Sequence, residues 1–398
     1  MKDTLGEFLA SHEDGLFYLG HASILVRLSG KLMLFDPVSN NSKPYQDSWR
    51  FFPPQIEDHR AYRTSAVLVS HCHQDHFDRE LLFNESSPLS EHPVHIVAGR
   101  DSFPKDSPEF IYIPPGQDIQ LFKDVWIRGI LHPTNGIDSS FLIWNDKLKI
   151  YHGNDNWIGP QLLQGLGPVD IACIPFSYVH WYPFLLEEVS DEWKRLTALQ
   201  EIHKHFKLGI AQAEALQAKR VIPFGGNLIY NDPAETLMTK SVKSPFDFYD
   251  FSGKDPRFTP LFAGDYICGG KERYHHVWNA EGYESKKKEF LADQPRDPGR
   301  MNGIVFQNIK DEKFVYIGPR HIPGEPIMQL DLKRCSVQFV YEPRYLPFHY
   351  FKLDNDIYYE WKRGSVDMEE VIGTRKFTLL RVPNVYDPDL LKWVNTCL

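Results

Sequence analysis

The chain has 398 residues, of which 42% are hydrophobic and 24% charged, and its formal net charge is −9. This composition is typical of a soluble globular protein of one or two domains, and the acidic balance argues against a nucleic-acid-binding surface. No segment has the unbroken apolar length of a membrane span, and the first residues lack the apolar core of a signal peptide. The five cysteines are scattered and form no C-x-x-C pair, which is typical of a reducing compartment. We therefore expect a cytoplasmic protein without a transmembrane span.

Short strand-like segments dominate the first 180 residues. They are residues 16–19, 23–28, 31–36, 66–70, 94–98, 125–130, 140–144, 147–151 and 171–175. A long helical pattern follows, from about Ser190 to Ala218, and it begins with Ser190 and Asp191, a favourable N-cap. Strand 220–224 comes next. This order predicts packed sheets with helices outside them.

The later part of the chain is less regular in pattern. Residues 231–300 are rich in Pro, Asp, Lys and Gly and predict long surface loops, while residues 335–340 predict a strand and residues 387–393 a terminal helix. We therefore divide the chain into a catalytic domain, residues 1–290, and a C-terminal extension packed on it, residues 291–398.

The densest group of potential metal ligands follows the predicted strand 66–70. His71, His73, Asp75 and His76 lie within six positions, and alternation along an extended segment places His71 and His73 on the same side. Imidazole and carboxylate ligands together suit zinc or iron, with manganese as a further candidate, whereas oxygen-only sites suit magnesium or calcium. The sequence therefore predicts a site for one or two divalent metal ions.

This H-x-H-x-D-H motif resembles that of the metallo-β-lactamase superfamily, and three further motifs match in order. Asp36 ends a strand, His132 follows a later strand, and Asp155 comes after a strand and a glycine. The resemblance implies an α+β fold, the four-layer αββα sandwich, with metal at the edge between the sheets. It implies that His71, His73, His132 and Asp155 hold one ion, and that Asp75 and His76 begin a second position that Asp155 bridges.

Four residues near these motifs are candidates for contact with substrate or with the metal ligands. They are His21, Asp36, His152 and Asn227. The superfamily usually supplies one more histidine after a late strand, but here the segment after residues 220–224 reads Gly225-Gly226-Asn227. Three alternatives remain open: the site holds one ion, Asn227 or another residue substitutes, or His180 completes the site and takes part in catalysis.

The missing histidine indicates a narrower likeness. Residues 223–226, 192–194 and 372–377 are similar to segments of the metallo-β-lactamase-like part of the CMP-N-acetylneuraminate hydroxylases. A Rieske iron–sulfur cluster needs two Cys-His pairs, and the 398 residues contain no such pattern. The resemblance therefore does not imply a built-in electron relay.

Two activities follow from the motifs. The first is hydrolysis of an ester, lactone, amide or phosphodiester bond in a small-molecule substrate by metal-activated water, with Asp75 orienting the water or accepting its proton. The alternative is a non-haem iron oxygenase or oxidase, with one or two iron ions, which would take electrons from an external redox partner.

Overall fold

The computed structural model describes residues 3–42, 44–89, 94–96, 110–133, 138–187, 189–230, 236–275, 278–292, 304–306, 314–320, 326–331, 336–343, 348–363 and 365–382. Its helices are α1 (Thr4–Ser11), α2 (Pro44–Asp47), α3 (Arg79–Phe83), α4 (Asp191–Ala215), α5 (Leu237–Ser241), α6 (Pro245–Phe251), α7 (Ala280–Ala292), α8 (Asn355–Lys362) and α9 (Met368–Thr374), with a 3₁₀ turn at Pro160–Leu162.

The strands carry their own numbering in chain order. They are β1 (Gly15–Gly20), β2 (Ser23–Leu28), β3 (Lys31–Phe35), β4 (Trp49–Phe51), β5 (Ala66–Val69), β6 (Val94–Ile96), β7 (Phe110–Tyr112), β8 (Ile119–Phe122), β9 (Val125–Leu131), β10 (Ser139–Trp144), β11 (Lys149–His152), β12 (Ile171–Pro175), β13 (Arg220–Phe224), β14 (Leu228–Tyr230), β15 (Tyr266–Cys268), β16 (Lys271–Arg273), β17 (Ile304–Phe306), β18 (Phe314–Pro319), β19 (Ile327–Asp331), β20 (Ser336–Val340), β21 (Phe348–Leu353) and β22 (Phe377–Val382).

Two large sheets face each other across the main core. The first has the strand order β16-β15-β1-β2-β3-β5-β6-β7, and the second has the order β13-β12-β11-β10-β9-β8. Tyr18, Ile24 and Phe35 of the first sheet and Phe141 and Ile222 of the second share one buried cluster. Burial of this apolar surface between the sheets is the dominant stabilising contribution to the sandwich.

Helices cover the outer face of each sheet. Leu5 and Phe8 of α1 pack on the first sheet, and Ile202 and Phe206 of α4 pack on the second, together with Phe248 of α6. The layers are therefore helix, sheet, sheet and helix, which confirms the predicted αββα sandwich. The long helix begins as predicted, because the Ser190 hydroxyl accepts a hydrogen bond from the Trp193 amide at 3.2 Å.

The C-terminal part forms a third sheet with the order β17-β21-β18-β19-β20, and β22 also pairs antiparallel with β21. Helices α8 and α9 pack on it, and Trp181 and Leu186, from the segment between β12 and α4, join the same apolar cluster. The sheet is thus an addition beyond the sandwich that packs against it. The predicted domain boundary after residue 290 falls within α7 and remains a prediction.

The expectation of long loops over residues 231–300 was wrong for the part the structure describes. Residues 236–275 and 278–292 contain α5, α6, β15, β16 and α7. The predicted strand near residues 335–340 is confirmed as β20, whereas the predicted helix at 387–393 lies outside the described residues. Among the helices that the structure describes, none is long and apolar enough to cross a membrane.

Candidate metal centre

Potential ligand atoms from four parts of the chain converge at one edge of the sandwich. They form three overlapping triads, and within each triad the three ligand atoms lie within 4.8 Å of one another. We name them the first triad (His71, His73, Asp138), the central triad (His71, His76, Asp155) and the second triad (His21, Asp75, His76).

The chain reaches this edge because β5 ends at Val69 and turns at once. The amides of His76 and Phe77 donate to the carbonyl of His73 at 2.9 and 2.8 Å, which closes a tight turn. The ring of His71 then lies 4.4 Å, centre to centre, from the rings of both His73 and His76. His71 Nε2 and His73 Nδ1 are 2.7 Å apart. The predicted convergence of His71 and His73 is therefore present in the folded chain.

Asp36 supports the ligands from beneath. It follows β3, which runs parallel to β5, and its side chain is fully buried. The carboxylate accepts from the amide and the hydroxyl of Ser70, each at 2.7 Å, and from His76 Nδ1 at 3.2 Å. A proton held on Nδ1 by this contact leaves the lone pair of neutral His76 on Nε2, which faces the triads. Burial alone would raise the pKa of Asp36, but His76 outweighs it and lowers that pKa.

A second network orients His71. Because the Ser70 hydroxyl donates to Asp36, its oxygen is free to accept from His71 Nδ1, which lies 3.0 Å away. The Asn154 amide also donates to that hydroxyl and to the carbonyl of Ser139. This arrangement directs the lone pair of His71 Nε2 towards His73 and Asp155.

The electrostatics of the triads favour a bound cation. Burial, with His73 and His76 nearby, lowers the pKa of His71 well below its ordinary value, so this ring is neutral and able to bind a metal. Burial opposes charge on His76 as well, but Asp75 and Asp155 outweigh it and raise the pKa of His76 well above its ordinary value. Burial would raise the pKa of Asp75, yet His76 and His21 lower it well below its ordinary range. A carboxylate-rich pocket that holds a proton this strongly also attracts a metal ion.

Asp155 is the carboxylate of the central triad. It follows β11 and a glycine, and its two carboxylate oxygens are each 3.6 Å from an imidazole nitrogen, Oδ1 from His71 Nε2 and Oδ2 from His76 Nε2. Of these two imidazoles, His71 is shared with the first triad and His76 with the second. The bridging role of Asp155 remains a prediction.

Asp138, which the sequence reading missed, occupies the first triad instead of His132. Its Oδ1 lies 3.8 Å from His71 Nε2, and its carbonyl accepts from the amide of His132 at 2.8 Å. His132 itself is half-buried, and the structure does not bring it into a triad. Its role as a ligand remains a prediction. The available signal was position: Asp138 directly precedes β10, opposite the end of β9, at the same sheet edge as His132.

His180 is not brought into the triads either. Its Nδ1 accepts from the amide of Tyr182 at 3.1 Å, its carbonyl accepts from the Tyr230 hydroxyl, and its ring lies against Tyr178 and Trp181. Burial lowers the pKa of His180 to about 4, so the ring is neutral. Its replacement of the missing histidine remains a prediction.

Two of the remaining candidates, His152 and Asn227, are buried and belong to none of the three triads. His152 is fully buried at the end of β11, and its Nε2 donates to the carbonyl of Ala22 at 3.1 Å. Asn227 is 1% exposed, and neither polar atom of its side chain has a hydrogen bond among the described residues. His21, by contrast, belongs to the second triad, with Nε2 3.2 Å from Asp75 Oδ2.

The donor set fits a divalent metal ion. Within the described residues, His76 Nε2 and Asp155 Oδ1 are buried and make no hydrogen bond of good geometry, although both face other ligand atoms. Buried polar atoms without partners are costly, and a cation shared among them removes that cost. Imidazole nitrogen with carboxylate oxygen suits zinc or iron.

Comparison with known proteins identifies the family of the chain. A family model described as the beta-lactamase superfamily domain matches residues 15–224, which is more than half of the chain. The chain belongs to this superfamily. Membership of this superfamily implies divalent metal binding, and the triads are a His/Asp cluster among the described residues.

Individual relatives and solved structures also match parts of the chain. A UPF0173 protein of Pyrococcus abyssi is 27% identical over 167 residues, which cover 41% of this chain and 70% of the relative. A Mycolicibacterium smegmatis protein, provisionally named a Rieske 2Fe-2S iron-sulfur protein, is 26% identical over 236 residues, covering 54% of this chain and 44% of that one. Among solved structures, the metallo hydrolase Igni18 of Ignicoccus hospitalis is 15% identical, with a TM-score of 0.42 over 64% of this chain and 97% of its own.

Proposed function

We propose that the chain is a metal-dependent hydrolase of a small molecule that contains an ester, lactone, amide or phosphodiester bond. The observation that supports this most is the set of three overlapping triads, with two imidazoles, His71 and His76, each shared between two of them. Such sharing provides adjacent positions for one or two ions. A bound divalent ion supplies water activation near neutral pH and polarises a carbonyl or phosphoryl oxygen.

The residues of the triads and Asp36 would have separate roles in this reaction. His71, His73 and Asp138 would hold an ion at the first triad, Asp155 would link it to His76, and Asp36 keeps His76 in the tautomer that binds. Asp75 is 8% exposed and reaches His21 and His76, which supports our proposal that it orients a water molecule and accepts its proton.

An iron-dependent oxygenase is the second candidate. His and Asp ligands serve iron as well as zinc, and a relative of this chain is provisionally named as a Rieske protein. The 398 residues hold no Cys-His pattern for such a cluster, so electrons would come from an external partner.

Metal content and reaction separate the two candidates. We expect protein purified without added metal to contain zinc and to hydrolyse generic esters, lactones or phosphodiesters without oxygen. Iron in the purified protein, with a product that forms only in oxygen, would replace the hydrolase by the oxygenase.

The site itself is tested by His71→Ala. Because His71 belongs to two triads, we expect its removal to weaken metal binding by at least about 100-fold and to abolish activity. His203→Ala is the matched control, since His203 is an exposed histidine of α4 that lies against Phe251. A His71→Ala protein that keeps both metal and activity would remove the basis of the proposal.

A further inference from the structure

The segment after β13, where the superfamily usually places a histidine, is closed to any side chain at two of its positions. Gly225 has a φ of +65°, and a Cβ atom there would lie 3.1 Å from the carbonyl oxygen of Asn154. A Cβ atom on Gly226 would overlap Ser177 and lie 2.7 Å from the ring of Phe176. A histidine at residue 225 or 226 is therefore incompatible with this packing, so neither position can supply the missing ligand.

His21 is the third member of the second triad, beside Asp75 and His76. It is in the turn between β1 and β2, is 1% exposed, and its ring centre is 5.1 Å from that of His76. Its Nε2 is 3.2 Å from Asp75 Oδ2, without the angle of a good hydrogen bond.

The backbone of His21 is held in an unusual conformation by three neighbouring elements. Its φ is +44°, which is uncommon for a residue other than glycine. The Tyr18 hydroxyl and the Gly225 amide donate to its carbonyl at 2.8 and 3.3 Å, and His152 Nε2 donates to the next carbonyl, that of Ala22, at 3.1 Å. Strained residues that are held this firmly concentrate at functional sites.

We propose that His21 is the third protein ligand of the second ion, together with Asp75 and His76. The inference rests on the proposed metal centre and resolves the question of what replaces the missing histidine. The segment after β13 also supports this role of His21, because the Gly225 amide donates to the His21 carbonyl and so holds the turn that carries this residue. Two imidazoles and one carboxylate form a ligand set that suits zinc or iron, and Asp155, 3.6 Å from His76 Nε2, is close enough to join it.

The experiment is a Co²⁺ titration of metal-free protein, followed by visible absorption and by elemental analysis of the washed complex. We expect the natural protein to bind two ions and His21→Gln to bind one, with the affinity for the second ion reduced by at least about 100-fold. His59→Ala, which removes an exposed histidine outside the triads, serves as the control and should bind two ions. Added imidazole should restore the second ion in His21→Ala.

Each result that contradicts these expectations refutes either the assignment of His21 or the hydrolase proposal. Glutamine can still hydrogen-bond Asp75 but is a poor ligand, so a His21→Gln protein that binds two ions with unchanged affinity would show that His21 only positions Asp75. A natural protein that binds one ion would also overturn this inference while leaving the hydrolase proposal intact, whereas one that binds none would overturn the hydrolase proposal itself. If His21→Ala does not fold, proton NMR of the Co²⁺ protein still decides. The natural protein should show one more shifted, exchangeable imidazole N–H signal than His21→Gln, and an equal number would refute the assignment.

Discussion

Replacement of Asp36 tests whether a single buried carboxylate supports both the fold and the metal ligands. Asp36→Ala leaves the Ser70 amide and His76 Nδ1 without their acceptor, while the Ser70 hydroxyl keeps His71 and Asn154 as neighbours. A buried donor left unpaired costs about 1–3 kcal/mol, and breaking a buried charged pair costs about 3–5 kcal/mol. We therefore expect the free energy of unfolding of the metal-free protein to fall by about 3–5 kcal/mol.

Asp36→Asn separates charge from shape. Asparagine tolerates the left-handed backbone at this position, where φ is +40°, and its oxygen can still accept from the Ser70 amide. We expect a loss of about 1–2 kcal/mol in stability. Metal affinity should fall by about 10–100-fold, because the tautomer of His76 is no longer fixed by a carboxylate.

The measurements are urea unfolding of metal-free protein and metal competition against a chromophoric chelator. Asp118→Asn is the control, since Asp118 forms an exposed ion pair with Arg128 and should change stability by less than about 1 kcal/mol. The reasoning would be refuted if Asp36→Ala unfolded like the control, or if Asp36→Asn bound metal as tightly as the natural protein.

Two further predictions concern the first triad and the C-terminal sheet. Asp138→Ala should weaken binding of the ion at the first triad by at least about 10-fold in the same chelator assay, because Asp138 lies 3.8 Å from His71 Nε2. If His132→Ala weakens binding and Asp138→Ala does not, the ligand is the residue that the resemblance implied and not the member of the triad. Glu187 contacts Lys352, Arg320 and Thr378. Burial alone would raise the pKa of Glu187, but these partners outweigh burial and lower that pKa below its usual 4.5. Because folding lowers its pKa, Glu187 stabilises the fold at pH values above its unfolded-state pKa. Glu187→Gln should therefore reduce the free energy of unfolding by about 1 kcal/mol at neutral pH. The difference in stability from the natural protein should vanish as the pH falls through the folded-state pKa of Glu187. A difference that grows towards acid pH, in urea unfolding at several pH values, would contradict that sign.

The parts of the site that sequence could predict are those in which spacing alone brings ligands together. His71 and His73 alternate along one extended segment, and Asp75 and His76 follow within the same turn. Their convergence needs no long-range information. Asp138 and His21 enter the site from other parts of the chain. The resemblance alone indicated His21, and no motif indicated Asp138, because the pairing of β9 with β10 and the packing of the two sheets bring them there. The local sequence pattern does not indicate such long-range contacts.

The helices between residues 236 and 292 were missed for a different reason. Composition favoured loops, yet α6 begins with a capping box, in which Ser244 and Asp247 satisfy each other's backbone amides, and Pro245 occupies the first helical turn. The signal was local and present. A count of Pro, Asp and Gly over seventy residues obscured it because the same residues that break helices in their interior also begin them.

The C-terminal extension bears on the metal centre through one short segment of the sandwich. Gln74, between His73 and Asp75, accepts from the amide of Tyr45 at 2.6 Å. Just beyond Tyr45, the Ser48 hydroxyl and the Trp49 indole donate to carbonyls at the end of α9, at 2.6 and 2.8 Å. The turn that carries two proposed ligands is therefore braced by residues 45–49, and these are in turn held by the extension. Since a misplacement of about 1 Å can reduce catalysis substantially, the extension helps to define the site although it contributes no residue to the triads among the residues described.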